Sequence, residues 1–310
     1  MTEIKNEQKK DLTPSRSLIG RARAVDRIWT VVFYLVALFF LLLLFAFAGY
    51  VIIKGFAGAT PEMFRFDRNG IGNYFFNTIY LVFLSLLISV PIGVMGGIYM
   101  AEYARDNAFT KFLRIAIETL SSLPSIVVGL FGYLIFLVAT HSQPSLLAVS
   151  FIDYILVAIL SLPLMTTTTE DALRNLPPSY KLGSLGMGAT LRQTIQSVLI
   201  PACVPRIITG IILAAGRGFG EAAALLYTSG SDTNIKWDPR AWVNPSLNPF
   251  NPLRRGGTLS LKIWSSFTAS VGAEDVANLS AAILMILVLS FSLLAHYLEG
   301  RIRKKMGDTK

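Results

Sequence analysis

The sequence predicts an all-α membrane protein with six transmembrane helices, and two observations carry that prediction. Of 310 residues, 53% are hydrophobic and only 15% charged. Six stretches are also apolar for long enough to cross a hydrocarbon core of roughly 30 Å. The spans are expected at 28–53, 74–101, 117–139, 146–165, 204–228 and 278–298, forming one membrane domain over 28–298 between basic tails at 1–27 and 299–310. The net charge of +9 is explained by topology, since seven Lys and Arg precede the first span and five follow the last. With the N-terminus inside, six crossings return the chain to the cytoplasm, and both basic tails obey the positive-inside bias of a cell (plasma or inner) membrane protein. The charge therefore does not call for nucleic acid.

The first span follows Arg27 as a long apolar run without a small-residue cleavage site, and reads as a retained anchor. The third contains Pro124, which lacks an N–H and, with Gly129 and Gly132, is expected to bend the helix. A static kink and a moving hinge are both open. The fourth is short and carries Asp153 near its start. The fifth carries Arg217 and Glu221.

Two connections exceed the usual loop length. Residues 166–202, expected in the cytoplasm, hold the Pro177–Pro178 break and then Leu182, Leu185, Ile195, Val198 and Leu199 at helical intervals around Gly186, Gly188 and Thr190. Two short helices joined by a glycine turn fit this pattern. They can dock on a soluble partner or rest on the headgroups. Residues 229–277, expected outside, mix Trp237, Trp242 and Trp264 with Pro239, Pro245, Pro249 and Pro252. Proline disfavours regular structure, and the tryptophans suit either membrane anchoring or a partner surface.

Arg217 and Glu221 lie in a stretch, Ile207–Gly230, that is otherwise uncharged. A charge at bilayer depth costs about 2.5 kcal/mol or more, so it is expected to face the bundle interior. Four-residue spacing would put both side chains on one helical face, with Gly216, Gly218 and Gly220 admitting another helix. The pair can line an anion path or lock helix packing. Cys203 is the only cysteine, which excludes an intramolecular disulfide and a Cys-cluster metal site. It reads as a packing residue. His141 and His296 sit near span ends and suggest neither a metal nor a triad. No phosphate-cradling G-x-x-x-x-G-K-[ST] loop occurs, so the chain has no ATP site of its own, and Gly216-Arg-Gly-Phe-Gly220 lacks dinucleotide-fingerprint spacing.

Residues 170–201, EDALRNLPPSYKLGSLGMGATLRQTIQSVLIP, resemble the coupling loop of binding-protein-dependent ABC importer permeases, written EAA, three residues, G, nine residues, I-x-L-P. Gly188, Val198, Ile200 and Pro201 fall at the required spacing, while Leu182, Gly183 and Ser184 occupy the EAA positions. GVMGGIYMAEYA and LPSIVVGLFG within 93–132 resemble the PstA and PstC permeases of phosphate importers. GRGFGEAAALLYTSG at 216–230 and TLSLKIW at 258–264 are more similar to PstA.

The resemblance implies a type I ABC importer (MetI-like) permease core with cytoplasmic coupling helices, requiring no cofactor and catalysing no reaction itself. It implies a PstC-like permease, a PstB-like ATPase dimer and an external PstS-like phosphate-binding protein as partners, with phosphate as the ion carried. It also implies that the matching Arg217 and Glu221 are functionally sensitive. A permease for sulfate or molybdate is the nearest alternative, since an arginine attracts any oxyanion. An intramembrane enzyme or lipid transferase would need a convergent nucleophile, base or metal cluster, and a secondary transporter would have no use for the coupling spacing.

Overall fold

The computed structural model describes residues 16–67, 70–135, 146–229, 233, 235–244, 247–252, 254, 256–269 and 274–305. Among them the regular structure is entirely helical, apart from one isolated bridge between Thr233 and Gly256. The chain divides into residues 1–50 and 51–310. In the first unit, helix α1 (Arg16–Ala57) is apolar, and its large side chains from Val25 to Tyr50 are exposed, as a lipid-facing rod would be.

In the second unit the core is built from α2 (Gly72–Ile98), α5 (Leu146–Arg174), α7 (Leu191–Gly220) and α9 (Glu274–Lys305), with α8 (Leu259–Ala269) packed on α9. Small residues let α2 and α5 touch. A Cβ on Gly93 would collide with the Met165 side chain, and one on Gly97 would lie 2.7 Å from the Thr166 carbonyl oxygen. Outward positions of the same helices are apolar, as at Phe83, Leu87 and Met95 on α2 and Leu293 on α9. Ser89, Ser161 and Thr169 are buried instead. Apolar outside and polar inside is the arrangement that lipid selects.

Among the described residues, five helices are long and apolar enough to cross a membrane, and a bent pair can supply a sixth crossing. That pair corrects the third predicted span. In place of one helix over 117–139 there are α3 (Ala108–Ser122) and α4 (Ser125–Tyr133), meeting at 100°. Pro124 cannot donate to the preceding turn and disfavours helical geometry at Leu123, so α3 stops there. Asn107 caps its start by accepting from the Thr110 N–H at 2.9 Å. Phe109, Phe112 and Ile115 share an exposed face, so α3 suits the membrane surface better than its interior. The remainder of the third span, with His141, lies outside the described residues.

Two further boundaries move. Helix α5 runs on to Arg174, nine residues beyond the predicted end of the fourth span, and α7 begins at Leu191. The connection between them contains α6 (Pro178–Gly186), and the second short helix expected there is the first turn of α7 itself. At its other end α7 stops at Gly220, so the fifth span does not continue as helix to 228.

Candidate functional site

Arg217 stands in the last turn of α7, and the backbone leaves helical geometry at Glu221, where φ is −72° and ψ 111°. The expected one-face pair is therefore absent: Arg217 and Glu221 form no ion pair. Glu221 closes the helix by donating its N–H to the Gly218 carbonyl at 3.3 Å, then turns its carboxylate onto the Ala224 N–H at 2.9 Å. Its carbonyl accepts from the Ser260 hydroxyl at 2.8 Å, tying the break to α8. A carboxylate capping the next turn satisfies donors that a helix break would orphan inside a membrane.

Arg217 is half-buried and makes no hydrogen bond or ion pair among the described residues. Of the three glycines around it, only Gly218 sits against neighbours, with Val82 and Val157 within 3.5 Å of where a Cβ would lie. Gly216 and Gly220 face open space, so the expected close approach holds at Gly218 alone.

Residues of the predicted coupling motif gather around one turn. Gly188 has φ +85°, a left-handed conformation that side-chain-bearing residues rarely adopt, while a Cβ there would meet nothing. The requirement is therefore conformational, not steric. Thr190 then opens α7 with a reciprocal cap, its hydroxyl accepting from the Gln193 N–H at 3.3 Å while its own N–H donates to the Gln193 side chain at 2.8 Å. Ser184 hydrogen-bonds Thr194 at 2.9 Å across the turn. Gly183 is unpacked, and Leu182 is exposed beside Tyr180, Leu185 and Met187. Val198, Ile200 and Pro201 lie on α7, where residues Ile195–Leu199 form a π-helical turn. Proline at Pro201 fits there because it cannot donate within a helix.

Gly129 and Gly132, expected to share in the bend with Pro124, lie within the regular helix α4. They are packing positions instead. A Cβ on Gly129 would strike the Ala224 carbonyl oxygen, and one on Gly132 would lie 2.8 Å from Leu156. The irregular segment after Glu221 thus rests directly on α4.

A polar seam that sequence reading missed runs beside this break. Asn73, Asn77 and Thr78 at the start of α2 are buried, and each holds a distant segment. Asn73 accepts from the Trp237 indole at 2.9 Å, Asn77 donates to the Gly257 carbonyl at 3.2 Å, and Thr78 accepts from the Leu259 N–H at 2.9 Å. Arg254, only 4% exposed, donates to the Asn77 side-chain oxygen and, at 3.2 Å, to the Pro249 carbonyl. Burial pulls its pKa below the ordinary arginine value, with the Tyr154 and Tyr80 hydroxyls opposing the shift. Asp153, buried near the start of α5, accepts from the Thr228 hydroxyl. An Asn at each of two positions four apart on a span was the available signal for this seam, as was Asp153. No group of three or more His, Cys, Asp or Glu converges among the described residues. Cys203 is buried among Leu199 and Ile207, and His296 is exposed with its Nδ1 2.8 Å from the Ser292 carbonyl.

The helical core, the left-handed turn at Gly188 and the broken helix around an arginine fit a membrane transport subunit, and comparison with known proteins gives its class. Residues 93–304 match the binding-protein-dependent transport system inner membrane components, and the chain belongs to that family. It is a multi-pass inner-membrane permease with the MetI-like importer fold, a transport component. It is 39% identical over 296 residues to the probable ABC transporter permease protein YqgI of Bacillus subtilis (strain 168), covering 92% of this chain and 98% of that one. It is 29% identical over 223 residues to the phosphate transport system permease protein PstA of Xylella fastidiosa (strain Temecula1 / ATCC 700964), covering 70% and 76%. Among solved structures, a chain of the bacterial alginate ABC transporter in complex with alginate pentasaccharide-bound periplasmic protein superposes with a TM-score of 0.66 over 91% of this chain and 98% of that one. At 14% identity, that likeness speaks to the fold alone.

Proposed function

We propose that this permease is one membrane subunit of an ATP-driven inorganic phosphate importer. It would pair with a PstC-like permease, bind a PstB-like ATPase dimer through the turn at Gly188, and receive phosphate from an external PstS-like binding protein. Both termini and the α5–α7 connection would then face the cytoplasm, as the distribution of basic residues suggests. The observation that carries the reading is Arg217: a half-buried arginine without a partner among the described residues, held where α7 breaks off. A guanidinium is always charged and offers several donors to a tetrahedral oxyanion. Similarity to PstA proteins supports phosphate among oxyanions. Glu221, spent on capping the break, supports the site by shaping the backbone and not by neutralising the arginine.

The test is reconstitution in proteoliposomes of this chain with its partner permease, ATPase and binding protein. Phosphate should stimulate ATP hydrolysis and accumulate inside, with sulfate and molybdate inert. Stimulation by sulfate or molybdate in place of phosphate would refute the substrate assignment.

A further inference from the structure

Arg254 is a second candidate anion ligand, remote from Arg217 in sequence and beyond the end of α7 opposite the coupling turn. Its guanidinium is almost wholly buried, yet no carboxylate lies within ion-pair distance of it among the described residues. Two of its five N–H groups are accounted for, by Asn77 and the Pro249 carbonyl, and the Phe76 ring lies 5.9 Å from its central carbon. Burying a cation with no carboxylate in ion-pair contact is costly, and its remaining N–H groups are donors that an incoming anion can use.

Arg254 lines a small cavity with Asn77, Tyr80, Asp153, Tyr154 and Gly256. The cavity holds about 10 Å³, enough for one water, so an anion enters only as these side chains draw apart. A glycine at its wall leaves room for both side chains. A Cβ on Gly256 would collide with the Asn77 amide and lie 2.9 Å from the Arg254 Nη1.

The geometry points to a recognition site for a protonated oxyanion, in which Arg254 and the Tyr154 hydroxyl donate to the anion and Asp153 accepts from its O–H, while the Tyr80 hydroxyl is held by the Phe250 carbonyl at 2.7 Å. Inorganic phosphate near neutral pH keeps at least one proton to give. Sulfate has none, so a carboxylate in the wall repels it with no compensating hydrogen bond. The site would therefore discriminate between two ions of the same shape. This inference rests on the importer reading above but concerns a different set of residues, and it can fail by itself.

The experiment is thermal unfolding of the assembled permease–ATPase complex in detergent, without binding protein, titrated with inorganic phosphate or sulfate. Phosphate should raise the Tm of the wild type and sulfate should not. Arg254→Gln should need about tenfold more phosphate for the same shift, as befits the loss of a charge-assisted contact, and Arg254→Lys should recover part of the loss. Asp153→Asn, which can still accept from Thr228, should admit sulfate. Arg254→Gln with a lower starting Tm but the wild-type phosphate dependence would show a purely structural pin and overturn the assignment. If Arg254→Gln does not assemble, Asp153→Asn decides, and unchanged exclusion of sulfate overturns the assignment. Wild-type uptake that requires phosphate, combined with either overturning result, would leave the importer reading standing.

Discussion

Lys181 on α6 and Glu102, in the π-helical turn Tyr99–Tyr103 that follows α2, form an ion pair at 2.6 Å, with the Glu102 side chain only 8% exposed. The pair joins the helix just before the Gly188 turn to the span that carries the polar seam. A second junction lies close by. Glu170 near the end of α5 accepts from Arg114 of α3 and Arg174, each at 2.9 Å. On the proposed coupling role, movement imposed on α6 would pass to α2 through a contact whose acidic partner is shielded from water.

Reversing one charge should break that transmission. Lys181→Glu places two carboxylates together and is expected to give an assembled complex that hydrolyses ATP with little uptake. The double exchange Lys181→Glu, Glu102→Lys should recover uptake, with a coupling energy of about 1 kcal/mol for a pair whose lysine is 40% exposed. Equal defects in the single and double variants would assign the effect to something other than the pair.

At Gly188 the backbone alone sets the requirement. Alanine there should cost about 1 kcal/mol and asparagine less, because asparagine tolerates left-handed geometry, while valine should be worst. ATPase association measured by co-purification should follow that order. An order set by side-chain volume would contradict it, since nothing surrounds the position.

Arg217→Ala should insert and assemble normally yet carry no phosphate, because the change removes a charge from the membrane and takes away the anion's contact. Arg217→Lys separates the contributions. Partial uptake would indicate attraction by charge, and none would indicate need of the planar fork. Wild-type transport by an assembled Arg217→Ala complex would remove this residue from the pathway.

Gly129 and Gly216 should respond oppositely to alanine. The first faces the Ala224 carbonyl oxygen, which belongs to backbone and cannot swing away, so Gly129→Ala should destabilise by about 1–3 kcal/mol. The second faces open space within α7, where alanine should be neutral or stabilise by up to about 1 kcal/mol. Reversible unfolding in mixed micelles would measure both.

Membrane sidedness can be read with single cysteines at Met187 and Val243, 89% and 90% exposed, in a Cys203→Ser background. An impermeant thiol reagent should label position 243 in intact cells and position 187 only after permeabilisation. The reverse pattern would invert the proposed orientation and remove the Gly188 turn from the ATPase side.

The sequence made the apolar spans and the coupling turn readable because each is local. A run of apolar residues defines a span by length, and Gly188 sits in a fixed register with Pro201. The end of α7 was unreadable for the opposite reason. Ala222, Ala223 and Ala224 favour helix intrinsically, but Ser260 and Gly129 hold that segment in another shape through contacts far along the chain. Arg254 was hidden in the same way: its neighbours are prolines and asparagines, and its burial depends on Asn77, 177 residues earlier. Pro124 announced a break without its angle, which depends on where α3 and α4 find their packing.

The break at Gly220 also has an electrical meaning. An α-helix ends in carbonyl oxygens carrying about half a negative charge, and Arg217 projects from the final turn of such an end. If Arg217 lines the pathway as proposed, an anion drawn to the guanidinium would be pushed back by the collar around it, and the potential well at this point would be shallow by construction. A shallow well would shorten residence, and throughput past this arginine would then be governed by how fast the surrounding helices rearrange and not by how slowly the ion lets go.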